Sequence, residues 1–414
     1  MENRASIYEE NVAQIAARIS RGCKATQSLG VEFEHILVKK GTQDAVSYDE
    51  PNGVRAVLER LAAHYPTEMR EDGDLLGLAG NNATITLEPA ACLEYSAGPF
   101  ESVAQAEASY QDFRTKIDPV LEEFGLTIAL LGYHPTKRAE ELKLIPKQRY
   151  FGMDKYLSGI GPYGRCMMRG SASLQVSIDF SSEEDAVRKL RIADALAPLF
   201  ALLCDNAPIF EGQRHYEHMA RTLIWQNYDP ARAQVIPGTF SPGFGFARYA
   251  EFVMNTAAII VPTEEGWRYV GAQTFAEVYA DRVMTPAEAD HALSIIFPDA
   301  RLKNFLEIRP ADALPLPYAM GYVALIKGLF YSEENLNALD SAIEGVTEEE
   351  ISQAKDALRK EGYNAVLRGK TPDAWLASLF TLAEAALPAE DAAYLEPLRS
   401  LSAARETLAM RYEG

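Results

Sequence analysis

The stretch SASLQVSIDF, residues 171–180, alternates strictly between polar and apolar side chains. Its odd-numbered positions are Ser, Ser, Gln, Ser and Asp, and its even-numbered positions are Ala, Leu, Val, Ile and Phe. Successive side chains of a β-strand point to opposite faces of the sheet, so this period of two separates a polar row from an apolar row. The stretch therefore predicts a strand that is buried on one side and polar on the other.

The same one-sided alternation recurs elsewhere, in LGVEFEHIL (29–37), ATITLE (83–88) and NFLEIR (304–309). Strands of a parallel sheet are usually apolar on both faces, whereas antiparallel strands commonly carry one polar face. The sequence therefore predicts an α+β fold with a mostly antiparallel sheet and helices packed on one face only. Further strands are expected at 126–132, near 257–262 and near 268–273.

Helical periodicity and capping residues locate the helices between and after these strands. Thr371-Pro372, for example, offers an N-cap followed by proline at the first helical position. We expect a catalytic domain over 1–331, a helical C-terminal region over 332–414 packed on the same domain, and a long loop at PADALPLP (310–317). The expected helices span 52–64, 101–123, 183–203, 345–361, 371–387 and 390–411.

Composition excludes several functional classes. The chain has 414 residues with 40 Lys and Arg against 59 Asp and Glu, which gives a net charge of −19. Nucleic acids and anionic membranes are bound by clustered basic residues, so neither is an expected partner. The four cysteines show no C-x-x-C spacing, and the N-terminal residues do not resemble a secretory signal. We therefore expect a cytoplasmic protein without a zinc site.

Glutamate recurs on the predicted strands, although this residue is generally depleted from strands. Two carboxylates about 5 Å apart repel each other by roughly 3 kcal/mol at an effective dielectric constant near 20. A cation would offset that repulsion, and Mg²⁺ binds through carboxylates and substrate phosphates. The pattern fits a polynuclear Mg²⁺ site for a nucleotide, and it fits equally well a solvated sheet face whose acids point to water. The glutamates with inward parity are Glu32, Glu34, Glu88, Glu94 and Glu307.

Seven sequence blocks, taken in order, resemble those of the plant-type branch of glutamate–cysteine ligase, which is shared with many bacteria. The resemblance extends from about residue 28 to residue 331. It implies a fold similar to that of glutamine synthetase, a curved, mostly antiparallel sheet shaped like a funnel, with helices on its convex face and ATP and metals on its concave face. The blocks are GVEFEH (30–35), TITLEPAACLEYSAGP (84–99), IPKQRY (145–150), CMMRGSASLQVSIDFSSE (166–183), NAPIFEG (206–212), ARTLIW (220–225) with YDPAR (228–232), and FPDARLKNFLEIRPAD (297–312).

The resemblance also implies roles for residues that match the family blocks. Two or more Mg²⁺ ions are expected at the five inward glutamates, Glu32, Glu34, Glu88, Glu94 and Glu307. ATP is expected to contact Glu88, Lys147 and Arg309, and the catalytic cations are expected to be Lys147, Arg149 and Arg309. Arg221 matches the clamp for the α-carboxylate of glutamate, a task that suits a planar guanidinium with two parallel donors. The remaining substrate-binding residues are expected to be Tyr150, Met168, Gln175 and Trp225.

Each of these residues also has a simpler interpretation from its local sequence. Arg221 fits an ordinary cation on a helix surface, and Lys147 and Arg149 fit a basic loop after a proline. Met168 and Trp225 are residue types found more often in a core than in a site. His35, with apolar neighbours, is more easily explained as a packed core histidine than as a ligand.

The implied reaction is ATP-dependent ligation of the γ-carboxylate of L-glutamate to the amine of L-cysteine through a γ-glutamyl phosphate, by a monomer or a homodimer. The sequence departs from the family pattern in three places, one of which is Ala90-Ala91-Cys92, where many members have Gly-Gly-Gln. The other two are Leu223, where a histidine is usual, and Ala313-Leu314-Pro315, where a tryptophan is common. The first of these departures leaves open a γ-glutamyl ligase with a different amine acceptor. Two other classes also remain open, a two-metal phosphohydrolase and a non-catalytic nucleotide or amino-acid binder.

Overall fold

The computed structural model describes residues 2–413, and its strands follow the predicted alternation. The strand predicted at 171–180 covers 173–178, and those predicted at 29–37 and 83–88 are confirmed within two residues at each end. The strands are β1 (Leu29–Lys39), β2 (Thr67–Glu71), β3 (Asp74–Gly80), β4 (Ala83–Leu87), β5 (Leu93–Phe100), β6 (Leu126–Ala129), β7 (Ser173–Ile178), β8 (Ile209–Phe210), β9 (Gln213–Arg214), β10 (Ala257–Thr263), β11 (Gly266–Thr274), β12 (Ala300–Leu302) and β13 (Leu306–Asp312).

Capping residues mark the ends of two of the predicted helices. The Ser182 hydroxyl accepts a hydrogen bond from the Asp185 N–H, and Gly125, at φ 69°, ends the helix predicted over 101–123. The helices are α1 (Glu2–Ser20), α2 (Val54–Leu61), α3 (Val103–Phe124), α4 (Gln148–Leu157), α5 (Glu183–Leu203), α6 (Ala220–Tyr228), α7 (Pro230–Ala233), α8 (Phe246–Met254), α9 (Phe275–Val278), α10 (Pro286–Ser294), α11 (Leu316–Phe330), α12 (Glu333–Ala342), α13 (Glu348–Glu361), α14 (Pro372–Ala386), α15 (Ala389–Ala392) and α16 (Glu396–Ala403).

One sheet dominates the described part of the chain. Its nine strands run in the order β12-β13-β7-β1-β5-β4-β3-β2, with β6 paired to the far end of β1. Every pairing of these strands is antiparallel, as the one-sided alternation predicted. The sheet is open, because its outer strands β12 and β2 do not pair with each other. The strands β10 and β11 form a separate hairpin.

The apolar face of the sheet is packed against helices. On β1, Val31, Phe33 and His35 are all at most 5% exposed. The Phe33 ring stacks on Tyr110 of α3 with ring centroids 4.3 Å apart, and the His35 ring faces the Tyr110 hydroxyl and the Leu93 carbonyl. His35 is thus a core histidine. Helices α5 and α11 contact strands of the same sheet. This packing leaves the polar rows of the strands on the opposite face.

The C-terminal region is helical, as predicted, and α13, α14 and α16 pack on α5 and α11. The division at residue 331 remains a prediction. The single helix expected over 390–411 is wrong, because the chain forms α15, a short 3₁₀ turn and α16, and α16 ends at Ala403. Pro397 lies in the first turn of α16, where the missing N–H is tolerated, and Arg405 at φ 58° turns the chain away from the helix.

No helix within residues 2–413 has both the length and the apolar character needed to cross a membrane.

Two further local predictions differ from the structure. The expected loop over 310–317 is wrong, because β13 continues to Asp312 and α11 begins at Leu316. A β-bulge between Ile308 and Ala311 accommodates Pro310 within the strand. Thr371 has the backbone conformation of an N-cap, but its side chain makes no capping hydrogen bond.

Candidate active site

Carboxylates from three strands share the polar face of the sheet. Glu34 of β1 lies directly opposite Glu94 of β5, and Glu32 lies opposite Gln175 of β7. Glu307 of β13 lies opposite Ser177, two residues along β7 from Gln175. Side chains that face each other across an antiparallel pair have Cβ atoms about 5 Å apart. The strand pairing therefore brings together four of the five predicted glutamates, from segments up to 275 residues apart.

Burial and mutual repulsion change how these acids ionise. Burial, followed by the negative charges of Glu307 and Glu94, raises the pKa of Glu32 to about 8. Burial and the Glu94 charge raise the pKa of Glu34 to about 7. Burial and the Glu88 charge also raise the pKa of Glu94. A face of this kind favours a bound cation, because a cation would let these groups ionise together.

Hydrogen bonds fix two of the carboxylates in place. The Ser173 N–H donates to Glu34 Oε2 at 2.7 Å, and Gln175 Nε2 donates to Glu34 Oε1 at 3.1 Å. Glu94 Oε1 accepts from the hydroxyls of Thr86 and Ser96, each at 2.9 Å. These donors lie on β4, β5 and β7. Gln175, which was predicted to line the pocket, therefore lies on the site face and orients Glu34.

Glu307 has a different environment, because three cations surround it. Arg301 Nε donates to Glu307 Oε2 at 2.7 Å, Arg309 Nη1 donates to the same oxygen at 2.6 Å, and Lys303 Nζ lies 3.0 Å from Oε1. The carboxylate is fully buried, and the three cations hold its pKa well below the usual range. Arg309 also donates to the Gln175 side-chain carbonyl, which links this cluster to Glu34.

Glu88 lies just past β4, in the turn that joins β4 to β5. Its N–H donates to the Cys92 carbonyl at 2.8 Å, and its carbonyl accepts from the Ala91 N–H at 3.0 Å. Burial and the Glu34 charge raise the pKa of Glu88 to about 7, while Lys147 and Arg149 act in the opposite direction. The turn therefore brings the fifth predicted glutamate next to Glu34.

The Glu88 turn contains a strained alanine. Ala91, which stands where many family members have glycine, has φ 65° and is 2% exposed. A left-handed conformation costs a residue with a Cβ about 1 kcal/mol relative to glycine.

We expect Ala91→Gly to stabilise the protein by about 0.5 kcal/mol, because relief of this strain exceeds the extra entropy that glycine gives the unfolded chain. Ala90→Gly is the matched control, since Ala90 is not among the described residues with positive φ, and it is expected to destabilise. Urea unfolding of the two variants measures the difference. A lower unfolding midpoint for Ala91→Gly than for the wild type would contradict the prediction.

The predicted basic block lies at the start of α4 and faces Glu88. The pKa of Lys147 is lowered, chiefly by burial, and its Nζ lies 4.8 Å from the centre of the Tyr150 ring. The Arg149 guanidinium lies 5.8 Å from both the Tyr150 and Trp267 rings. The Tyr150 hydroxyl donates to the Leu87 carbonyl at 3.0 Å. The interpretation as a solvated basic loop therefore does not hold, because the block packs against the end of β4.

Arg221, on α6, is buried rather than on a helix surface, with 6% of the residue exposed. Its guanidinium lies 4.8 Å from the centre of the Trp225 ring, and its positive charge partly opposes the rise in the pKa of Glu34. Trp225 Nε1 donates to the Phe297 carbonyl at 3.1 Å, which fixes the ring beneath Arg221. The structure therefore brings Arg221 close to the carboxylates, with Trp225 as its support.

Met168 lies in a single π-helical turn, Cys166–Gly170, and is 4% exposed in the main core. Its position supports the interpretation as a core residue. The described residues also form an open cleft of about 560 Å³ over the sheet face at the Glu32 end. Thr84, Ser96 and Ser177 line this cleft together with Glu32. The cleft gives small molecules access to the carboxylate face.

A family model, described as glutamate-cysteine ligase family 2, matches residues 28–404 of the chain. The chain belongs to this family. The match includes all five inward glutamates, the basic block of α4 and Arg221, and it extends the resemblance noted in the sequence through most of the C-terminal helices.

Plant members of the family are similar along most of their length. Chloroplastic glutamate–cysteine ligase of Arabidopsis thaliana is 28% identical over 388 residues, which cover 84% of this chain and 74% of the relative. Glutamate–cysteine ligase B of Oryza sativa subsp. japonica, also chloroplastic, is 29% identical over 346 residues, covering 81% and 69%. The cytoplasmic location expected from the sequence remains a prediction.

A solved structure shares the fold. Glutamate–cysteine ligase of Francisella tularensis, in complex with AMP, superposes with a TM-score of 0.56 at 14% identity, over 92% of this chain and 82% of that one. The similarity confirms the α+β architecture with its antiparallel sheet.

The donor set of the family site fits Mg²⁺ in its chemistry. Carboxylate oxygens are the ligands that this cation prefers, and burial together with repulsion from neighbouring acids raises the pKa values of Glu32, Glu34 and Glu88. Among the described residues, however, no three His, Cys, Asp or Glu side chains are arranged to hold a metal ion. Binding of Mg²⁺ by these glutamates would therefore require rotation of their side chains about the fixed strand positions.

Sequence reasoning did not identify Arg301 and Lys303 as site residues. A signal was present, because a turn at 303–305 places Arg301 directly opposite Glu307 in an antiparallel hairpin. With the turn position known, the block RLKNFLEIR would have indicated that a cation faces the buried acid.

Proposed function

We propose that this chain ligates the γ-carboxylate of L-glutamate to the amine of L-cysteine at the expense of ATP, giving γ-glutamylcysteine, ADP and phosphate. One observation carries the proposal. In a member of the glutamate–cysteine ligase family, Glu32, Glu34, Glu88 and Glu94 meet on one half-buried face and have raised pKa values. An acidic face beside buried arginines and a lysine is suited to a metal nucleotide and an anionic amino acid.

In this proposal, the acids and the cations divide the work between them. Glu32, Glu34, Glu88 and Glu94 hold the Mg²⁺ ions, and Glu307 remains a predicted fifth ligand although cations already contact both of its oxygens. Bound Mg²⁺ would neutralise charge on the phosphates of ATP. Lys147, Arg149 and Arg309 supply fixed positive charge where phosphate oxygens become more negative.

The chemistry requires no nucleophile from the protein. A γ-carboxylate oxygen of glutamate attacks the γ-phosphorus of ATP and ADP leaves, which gives a γ-glutamyl phosphate. The cysteine amine then attacks the acyl carbon, phosphate leaves, and the nitrogen loses a proton. The contribution of the chain is to hold the reactants in contact and to exclude water from the acyl phosphate.

The test is ADP release by the purified protein with glutamate and each of a panel of amino acids. The proposal expects ADP release that requires both glutamate and cysteine, in equal amounts with γ-glutamylcysteine. Phosphate release without glutamate would indicate a two-metal phosphohydrolase instead. ATP binding without turnover under any of these conditions would indicate a non-catalytic binder.

A second candidate, a γ-glutamyl ligase with another amine acceptor, is favoured by the environment of Cys92. This residue replaces the family glutamine, is 7% exposed, and belongs to a small apolar cluster with Ile36, Val38, Ala172 and Ala313. Burial and the nearby acids raise the pKa of its thiol. The position of Cys92 is therefore apolar, whereas many family members have the side-chain amide of a glutamine there. Turnover with another amine and none with cysteine would select this candidate.

Arg221→Ala is expected to raise the KM for glutamate about a hundredfold and to change kcat much less. The reason is that a buried bidentate clamp contributes several kcal/mol to the binding of a carboxylate. Initial rates at saturating ATP and cysteine measure the effect. Arg248→Ala is the control, because its side chain is 68% exposed and pairs only with Glu251 among the described residues. An unchanged KM for glutamate would remove Arg221 from the proposed clamp.

A further inference from the structure

Within residues 2–413, the buried Arg221 guanidinium makes hydrogen bonds through Nη1 only. Nη1 donates to the Ala311 carbonyl at 2.9 Å and to the Pro310 carbonyl at 3.4 Å, and it lies 3.4 Å from Asp312 Oδ1. Nε is buried and has no hydrogen-bond partner among the described residues. A carboxylate binds a guanidinium through two parallel hydrogen bonds, and the side that carries Nε is the one without a hydrogen-bond partner at Nε among the described residues.

Asp312 is the only acid paired with Arg221 among the described residues, and it is itself held rigidly. Its residue exposure is 4%, and its Oδ2 accepts from the Asn206 N–H at 2.7 Å. Asn206 is tied in turn by its side chain to the carbonyls of Leu130 at 2.7 Å and Ala313 at 2.8 Å. The carboxylate therefore has little freedom to move away from Arg221.

Gly132 leaves the space that the Asp312 carboxylate occupies. A Cβ added at this glycine would overlap the Asp312 side chain. The Gly132 N–H donates to the Asn206 carbonyl at 2.9 Å, so the same segment also anchors the residue that fixes Asp312. The backbone at Gly132 and the contacts of Asn206 thus both fix the position of the Asp312 carboxylate.

Asp312 also lies close to the acidic face. It pairs with Ser173 across β13 and β7, and the Ser173 N–H donates to Glu34 at 2.7 Å. The position of Arg221 relative to Glu34 is thus set through a short chain of strand contacts. Resting on the proposed function, we propose that Asp312 is a positioning residue that holds one edge of Arg221 and presents the Nε edge to the α-carboxylate of glutamate.

The test is a double-mutant cycle between Asp312→Asn and Arg221→Lys, with steady-state kinetics on the full chain. Asp312→Asn keeps the size of the side chain and removes its charge. Alone, it should raise the KM for glutamate about tenfold and leave the KM for ATP and kcat within about threefold, since a small displacement of a clamp costs binding. In the Arg221→Lys background it should raise the KM for glutamate less than twofold.

The outcomes separate this inference from the proposed function. An unchanged KM for glutamate in Arg221→Lys refutes the clamp itself. A raised KM in Arg221→Lys with an unchanged KM in Asp312→Asn refutes only the positioning role, and so do fully additive effects in the double variant. A purely structural role would lower the thermal midpoint without this selective change in the KM for glutamate.

If Asp312→Asn does not fold, a crystal structure of the wild-type protein with glutamate decides the question. The α-carboxylate is expected on the Nε side of Arg221, with Nη1 still facing Asp312. Glutamate bound through Nη1 in place of Asp312, or bound away from Arg221, would overturn the inference.

Discussion

Glu307→Gln is expected to reduce turnover at least about a hundredfold and to destabilise the fold by about 3 kcal/mol. The loss of stability follows from the three cations around this residue. Arg301 and Arg309 have side chains only 7% and 10% exposed, and both depend on a carboxylate that is fully buried. Removing one partner of a buried ion pair leaves an uncompensated charge, which is more costly than removing both partners. Turnover is expected to fall because Arg309 loses its ion pair with Glu307, which orients the guanidinium toward Gln175 and the site.

Urea unfolding and ADP release measure the two effects separately. Replacing Arg301 by methionine in the Glu307→Gln background removes one uncompensated cation, so this double variant should recover part of the stability and none of the turnover. A wild-type unfolding midpoint for Glu307→Gln would contradict the proposed cation cluster.

Glu88→Gln is expected to reduce turnover to a similar extent without destabilising the fold. Glutamine has the same shape and carries no charge, so it removes a proposed Mg²⁺ ligand and also removes repulsion with Glu34. The folded pKa of Glu88 is about 7, above the usual value of 4.5, so ionisation costs the wild type stability as the pH rises from about 4.5 through 7. In metal-free buffer, the variant should therefore be at least as stable as the wild type at pH 8, and its advantage should disappear near pH 4.

Thermal unfolding at the two pH values, in buffer with a chelator, measures that difference. Glu122→Gln is the matched control, because the Glu122 side chain is 74% exposed on α3 and should affect neither stability nor turnover. Wild-type turnover of Glu88→Gln, or a lower midpoint at pH 8, would contradict the role assigned to this residue.

These two glutamates show how far the sequence could predict the site. The alternation along β1 and β13 is a local property, so period two predicted that Glu32 and Glu34 share one face of their strand and that Glu307 lies on the polar face of its own. That all three lie on one face of the sheet depends on the strand pairing. What the side chains do on that face depends on neighbours far away in the sequence or across a turn. From the sequence, Glu88 and Glu307 are equivalent acids. In the structure, one is compensated by three cations and the other is left with a raised pKa.

Asp312 was missed for a different reason. The prolines of PADALPLP indicate a loop, because proline cannot donate to a sheet ladder. A β-bulge places Pro310 at a position where the sheet does not need a backbone N–H donor. The strand can therefore continue to Asp312. Bulges depend on the partner strand, so their positions cannot be read from one segment alone. The identity of the proposed metal ligands was thus easier to predict than the supports of Arg221.

The antiparallel register limits how a protein of this kind can diverge. Because side chains alternate, inserting or deleting a single residue within β1 would turn every side chain beyond that point to the other face of the sheet. The acids would then enter the apolar core, and the aromatic residues that pack on α3 would be exposed. The turn that carries Ala90 and Ala91 is not restricted by this alternation, although the left-handed backbone of Ala91 favours a small residue there. Evolution of acceptor choice is therefore expected to proceed through connecting segments and point substitutions, while the lengths of the central strands stay constant.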